Sequence, residues 1–159
     1  MITSIRSVLS QVFLTLVLGT SPAFSADPLQ TQMRMTGDVE VDLVRAAIDD
    51  GVLTAIFAYR NNGTEEAGIK YKVSEVFYLD KSEGKKYHVL ADSQGDWIAA
   101  PVARGSIAVE TGMSAQSVPI PPGGKKLVWF KFPAPPKTSM EIDIILPDAL
   151  PFEKITLNP

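Results

Sequence analysis

PPGGKKLVWFKFPAPP, residues 121–136, is the stretch that decides how this chain folds. Side chains alternate along an extended backbone, so Val128, Phe130 and Phe132 fall on one side and Leu127, Trp129 and Lys131 on the other. The alternation predicts a core strand with one buried face. Pro122, Gly123 and Gly124 turn the chain into it, and the Pro-rich run after Phe132 ends it, because proline cannot continue a ladder. The face carrying Trp129 and Lys131 reads either as a wet strip suited to pairing with a partner or as a second buried face.

The same period recurs on both sides of this stretch. Val39, Val41 and Leu43 alternate with Glu40 and Asp42, and after Asp49-Asp50-Gly51 the residues Leu53, Ala55, Phe57 and Tyr59 share a face. Asp-Gly between two alternating runs predicts a hairpin, while Val44 to Ile48 alone would permit a single helical turn. Ile69, Tyr71, Val73, Phe77 and Leu79 share one parity that only Glu75 spoils, so a bulge near Ser74 is expected to shift the register. Asp80 to Lys86 reads as a polar turn and Tyr87 to Ala91 as the returning strand. Short strands are expected at 106–109, 117–120 and 155–157, a loop at 112–116, and Ile142, Ile144 and Leu146 are expected to oppose Glu141 and Asp143. This many short strands, with turn signals between them and no sustained helical period, predicts an all-β antiparallel sandwich.

The N-terminus reads as an address. Met1 to Arg6 carries one positive charge, VFLTLVLG supplies a short apolar run, and SPAFSA supplies small residues, which is the order of a secretory signal peptide. Residues 1–25 are therefore assigned to a cleaved signal peptide, 26–38 to a flexible linker and 39–159 to one sandwich domain. A periplasmic or secreted protein with no transmembrane segment in its mature chain is expected. The absence of cysteine excludes disulfides and a lipid-anchored Cys, so stability must come from the core. Lys plus Arg total 15 against 18 for Asp plus Glu, which argues against a nucleic-acid partner.

The order of Val39-Glu40-Val41, LTAIFAYRNNG at 53–63, VFYLDKSEGKKYHVLAD at 76–92, IPPGGKKLVWFKFPAPP at 120–136 and ILPDALPFEKITL at 145–157 resembles a loosely defined family of immunoglobulin-like extracytoplasmic domains of bacterial envelope proteins. Some members are fused to a peptidoglycan-binding domain of the outer-membrane-protein-A type. The shared motifs are structural, so the resemblance implies an immunoglobulin-like fold more than an activity.

Catalytic chemistry has little to draw on. His88 is the one histidine and alternates with Tyr87 and Val89 on a predicted strand, and no Gly-x-Ser-x-Gly elbow is present. Asp49-Asp50, Glu65-Glu66 and Asp80 stand in turn-like contexts, and an acid–base site would need Glu75 or Asp143 to point into a pocket. A non-enzymatic chain without a cofactor is expected. Trp97, with Asp92 and Asp96, lies in the least regular segment and is the candidate binding loop; the alternatives are an indole plugging the end of the sandwich and an Asp-started turn. Met33, Met35 and His88, with Met113 and Met140 more distant, suggest soft ligands for Cu(I). The leading expectation is a binding or accessory module that recognises an envelope protein or cell-wall component through loops or a strand edge. The alternative is a periplasmic copper carrier.

Overall fold

The computed structural model describes residues 27–69, 71–101, 118–139 and 141–157. The expected signal peptide, the strand at 106–109, the loop at 112–116, Met113 and Met140 lie outside the described residues. The strands are β1 (Gln30–Met33), β2 (Val39–Asp49), β3 (Val52–Asn61), β4 (Ala67–Ile69), β5 (Phe77–Asp80), β6 (Lys85–His88), β7 (Val118–Ile120), β8 (Lys125–Pro133), β9 (Glu141–Ile145) and β10 (Phe152–Thr156). All pair antiparallel, in one sheet ordered β1-β2-β3-β8, a second ordered β10-β9-β5-β6 and a small β4-β7 ribbon. The fold is an all-β sandwich, and no α-helix occurs among the described residues.

Period-2 alternation builds the core. Leu53, Ala55 and Phe57 of β3 lie opposite Phe132, Phe130 and Val128 of β8, and all are buried. Phe57 reaches across to Phe152 of the second sheet with ring centroids 5.1 Å apart, and Phe132 meets Tyr78 edge-on at 5.6 Å. Aromatic rings contribute the largest buried area per residue, so these cross-sheet pairs hold the two layers together.

The β2–β3 turn takes the form its sequence predicts. Asp50 and Gly51 have φ of 46° and 77°, the positive values a two-residue hairpin turn requires. Val44 to Ile48 belongs to β2, with a register shift between Leu43 and Arg45 where the helical alternative was open. The loop before β8 depends on a glycine of another kind, because a Cβ on Gly124 would stand 2.8 Å from the carbonyl oxygen of Pro121.

Three expectations are corrected. Residues 26–38 are not all linker, since Gln30–Met33 forms β1 and pairs with Val41 and its neighbours on β2. Past Ser74 the chain changes face: Val73–Glu75 forms a 3-10 turn in place of a simple bulge, so Val76, Tyr78 and Asp80 are buried while Phe77 and Leu79 are only half-buried. Asp143, expected to be solvated opposite Ile142, is buried because Lys81 and the backbone of Lys154 close over it.

Candidate functional site

Both long edges of the sandwich are stitched, and the stitching defines what remains open. On the β1 side, Met35 N donates to Asp148 O and Leu150 N to Met33 O, which ties the first sheet to the loop before β10. On the β8 side, Leu90 N donates to Lys131 O and Lys131 N to Ala99 O, so residues 90–99 lean on the end of β8. In an antiparallel strand alternate residues turn their N–H and C=O groups to the same side. Leu127 and Trp129 therefore turn theirs away from β3, as Lys131 does. No backbone partner among the described residues meets them.

The side chains of this open section are apolar and wet. Leu127 is 59% exposed and Trp129 39%, with Ile56 of β3 beside them in register with Trp129. Lys125 and Lys131 bracket them on the same face, both exposed, and exposed Lys126 stands on the other parity of the strand. Of the two readings of the outer face, the exposed strip is the one the structure contains. Its position at the sheet edge depends on which strands pair, a long-range fact that alternation alone does not carry.

Asp92, Asp96 and Trp97 are brought together, but mainly to build a turn. Asp92 Oδ1 accepts from the amides of Gln94 and Asp96, each at 2.9 Å, and Asp92 N donates to Asp96 O at 2.9 Å. Trp97 bridges to Ala91 and packs half-buried on the core. The indole thus packs against the core where residues 90–99 lean on β8, and exposed Ile98 follows it.

The proposed soft-metal trio does not assemble. Met33 and Met35 are 46% and 68% exposed at the β1 edge, whereas His88 ends β6 at the opposite edge and stacks obliquely on Phe77 at 5.8 Å. No cluster of three or more His, Cys, Asp or Glu side chains suited to a metal occurs among the described residues.

The carboxylates that stand out are structural. Asp42 receives a two-pronged contact from Arg60, Nε to Oδ2 at 2.6 Å and Nη2 to Oδ1 at 3.0 Å, while Thr31 Oγ1 donates to Oδ1 at 2.6 Å. The Arg60 hydrogen bond holds the Asp42 carboxyl below its usual value against burial. At Asp80, burial pushes upward, but hydrogen bonds from Ser139, Ser82 and the Glu83 amide outweigh it and the carboxyl is lowered. Burial likewise opposes, and Lys81 with the Lys154 amide overcomes, at Asp143. Glu75 is exposed and paired with Lys72 at 3.4 Å.

No protein-family model, no curated protein and no solved structure matches this chain. The functional reading therefore rests on the chain's own surface. No helix among the described residues is long and apolar enough to cross a membrane.

Proposed function

We propose that the chain is an exported, non-enzymatic binding or accessory module of the bacterial cell envelope, periplasmic or secreted, with an immunoglobulin-like sandwich as its scaffold. Its partner is an envelope protein that offers an extended segment to the β8 edge. The observation that carries this reading is the exposed strip at Leu127 and Trp129, whose outer edge no strand among the described residues pairs with. Strand addition gains affinity from main-chain hydrogen bonds and specificity from alternate side chains, and both are on offer there. The lysines at both ends of the strip, Lys125 and Lys131, favour an acidic segment and disfavour a second copy of the same edge, since like charges would face each other. The turn at Asp92, Asp96 and Trp97 flanks this edge and would form its border. That the buried carboxylates are held by structural partners supports a role without catalysis.

The test places a photo-crosslinking residue at position 127 of the exported chain in intact cells, with position 153 on the other sheet as control. A discrete adduct from 127, lost on Trp129→Ser, is expected. Identical adducts from both positions, or none from 127, would sink the reading.

A second reading, a copper carrier, is favoured by one observation: the thioethers of Met33 and Met35 stand in solvent two residues apart and fill no core. Cu(I) titration of the wild type against the double Met33→Leu, Met35→Leu variant decides it, and equal affinities dismiss it.

A further inference from the structure

At the other end of β8 from Leu127 and Trp129, the chain that leaves the strand borders a cavity of about 490 Å³. Its walls come from three places: Ile48 before the β2–β3 turn, Ala134, Pro135 and Pro136 after β8, and Leu157 after β10. The volume lies in the small-molecule range of about 300–1,000 Å³. Its lip is fixed in advance, because Ala134 N donates to Gly51 O at 2.9 Å and two consecutive prolines stiffen the chain that follows.

Among the described residues, the polar groups at this cavity are few and unequal. Ser139 lines it, but its hydroxyl is engaged by Asp80 and lies 3.0 Å from Ser82 Oγ. Lys137 is exposed at the rim, and no ion-pair partner for it occurs among the described residues. Asp49 and Asp50 belong to the nearby turn, yet neither is among the lining residues. A wall of aliphatic and proline carbon offers nothing to orient a polar ring, but it accepts a flexible hydrocarbon, and one cation at the mouth suits one anionic head.

We infer that this cavity binds a monomeric single-chain amphiphile, a saturated acyl chain ending in a carboxylate. The site is separate from the β8 edge and does not depend on the recognition role proposed for it.

The experiment titrates the purified mature chain with the saturated carboxylates from octanoate to hexadecanoate, below their micelle concentrations, by calorimetry. Affinity is expected to rise roughly four-fold per added methylene and to level off once the cavity is full. Lys137→Ala should weaken dodecanoate binding by up to about five-fold and leave dodecanol unchanged. Ala134→Phe and Ile48→Phe each place a ring in the cavity and should abolish binding; each is scored only where its melting transition matches the wild type, and the two together guard against a misfolded variant. Absence of saturable binding to any carboxylate overturns the inference. So does affinity independent of chain length, binding retained in a folded cavity-filled variant, or association with anionic phospholipid vesicles but not with monomeric carboxylates. Equal loss of carboxylate and alcohol binding in Lys137→Ala overturns the assignment of the head group.

Discussion

Tyr59 on β3 donates its phenolic hydrogen to Asp148 Oδ1 at 3.0 Å, so a fully buried ring of the first sheet is anchored to the loop between β9 and β10. Arg34, just past β1, brings its Nε to 3.4 Å from Asp148 Oδ2. This contact is an ion pair without a hydrogen bond, since Arg34 Nε and Asp148 Oδ2 both lack hydrogen-bond partners. Burial pushes the Asp148 carboxyl above its usual range, and the Tyr59 hydrogen bond and Arg34 charge only partly offset it. Burial, then the charge of Asp148, drives the Tyr59 hydroxyl well above its ordinary value, which keeps it a donor.

Removing that donor leaves a buried carboxylate oxygen unmet. Tyr59→Phe is expected to destabilise the fold by about 1–3 kcal/mol, read from urea unfolding, because the acceptor loses a partner it cannot replace with water.

The raised carboxyl also sets a pH dependence. The folded state holds the Asp148 proton more tightly than the unfolded chain, whose carboxyl titrates at about 3.9. Its contribution to stability is therefore fully present below that value and is lost as pH rises through the folded one. Between pH 7 and pH 4 the stability of wild type relative to Asp148→Asn should shift in favour of wild type. A shift the other way would show that Arg34 dominates the site.

Asp42 should behave with the opposite sign. Its carboxyl is lowered on folding, so its contribution is present above the unfolded value of about 3.9 and is lost as pH falls through the lower folded one. The advantage of wild type over Asp42→Asn is expected to be about 1 kcal/mol at pH 7, modest because Arg60 is 37% exposed, and to shrink on acidification below about pH 4. Thermal unfolding of both proteins across that range checks it.

How much of this was readable from the residues follows from how local each signal was. β2, β3 and β8 were legible because alternation and the Asp50-Gly51 and Gly123-Gly124 turns act within a few residues. β1 was not, because Gln30 to Met33 carries weak alternation and owes its order to pairing with β2. The parity shared by Val73, Phe77 and Leu79 does not survive into β5, because the 3-10 turn at Val73–Glu75 breaks the register and buries Tyr78 and Asp80 instead. At the site, the outward parity of Leu127 and Trp129 was visible, but their exposure follows from β8 lying at a sheet edge. The separation of His88 from Met33, and the meeting of Ile48, Ala134 and Leu157 at one cavity, are products of strand order, which no local pattern encodes.

The hairpin turn allows a test of backbone strain alone. Gly51 has φ +77°, and nothing lies within 4 Å of where a Cβ would stand, so Gly51→Ala places a Cβ on a left-handed backbone without a clash. A loss of about 1–2 kcal/mol is expected in denaturant unfolding. A neutral result would mean that the turn relaxes to another form.

Two aromatic substitutions on opposite faces of the first sheet separate scaffold from recognition. Phe57 is buried with its ring centroid 5.1 Å from that of Phe152 and 6.0 Å from that of Phe130, so Phe57→Ala opens a void between the sheets and should cost about 3–5 kcal/mol. Trp129 turns outward at a sheet edge, and Trp129→Ser should change stability by less than about 1 kcal/mol while reducing crosslinking through position 127. Denaturant midpoints of the two variants, measured beside the crosslinking yield, distinguish the roles. Should Trp129→Ser lower stability as far as Phe57→Ala does, the outer strip would be part of the scaffold, and the partner would have to be sought at another surface.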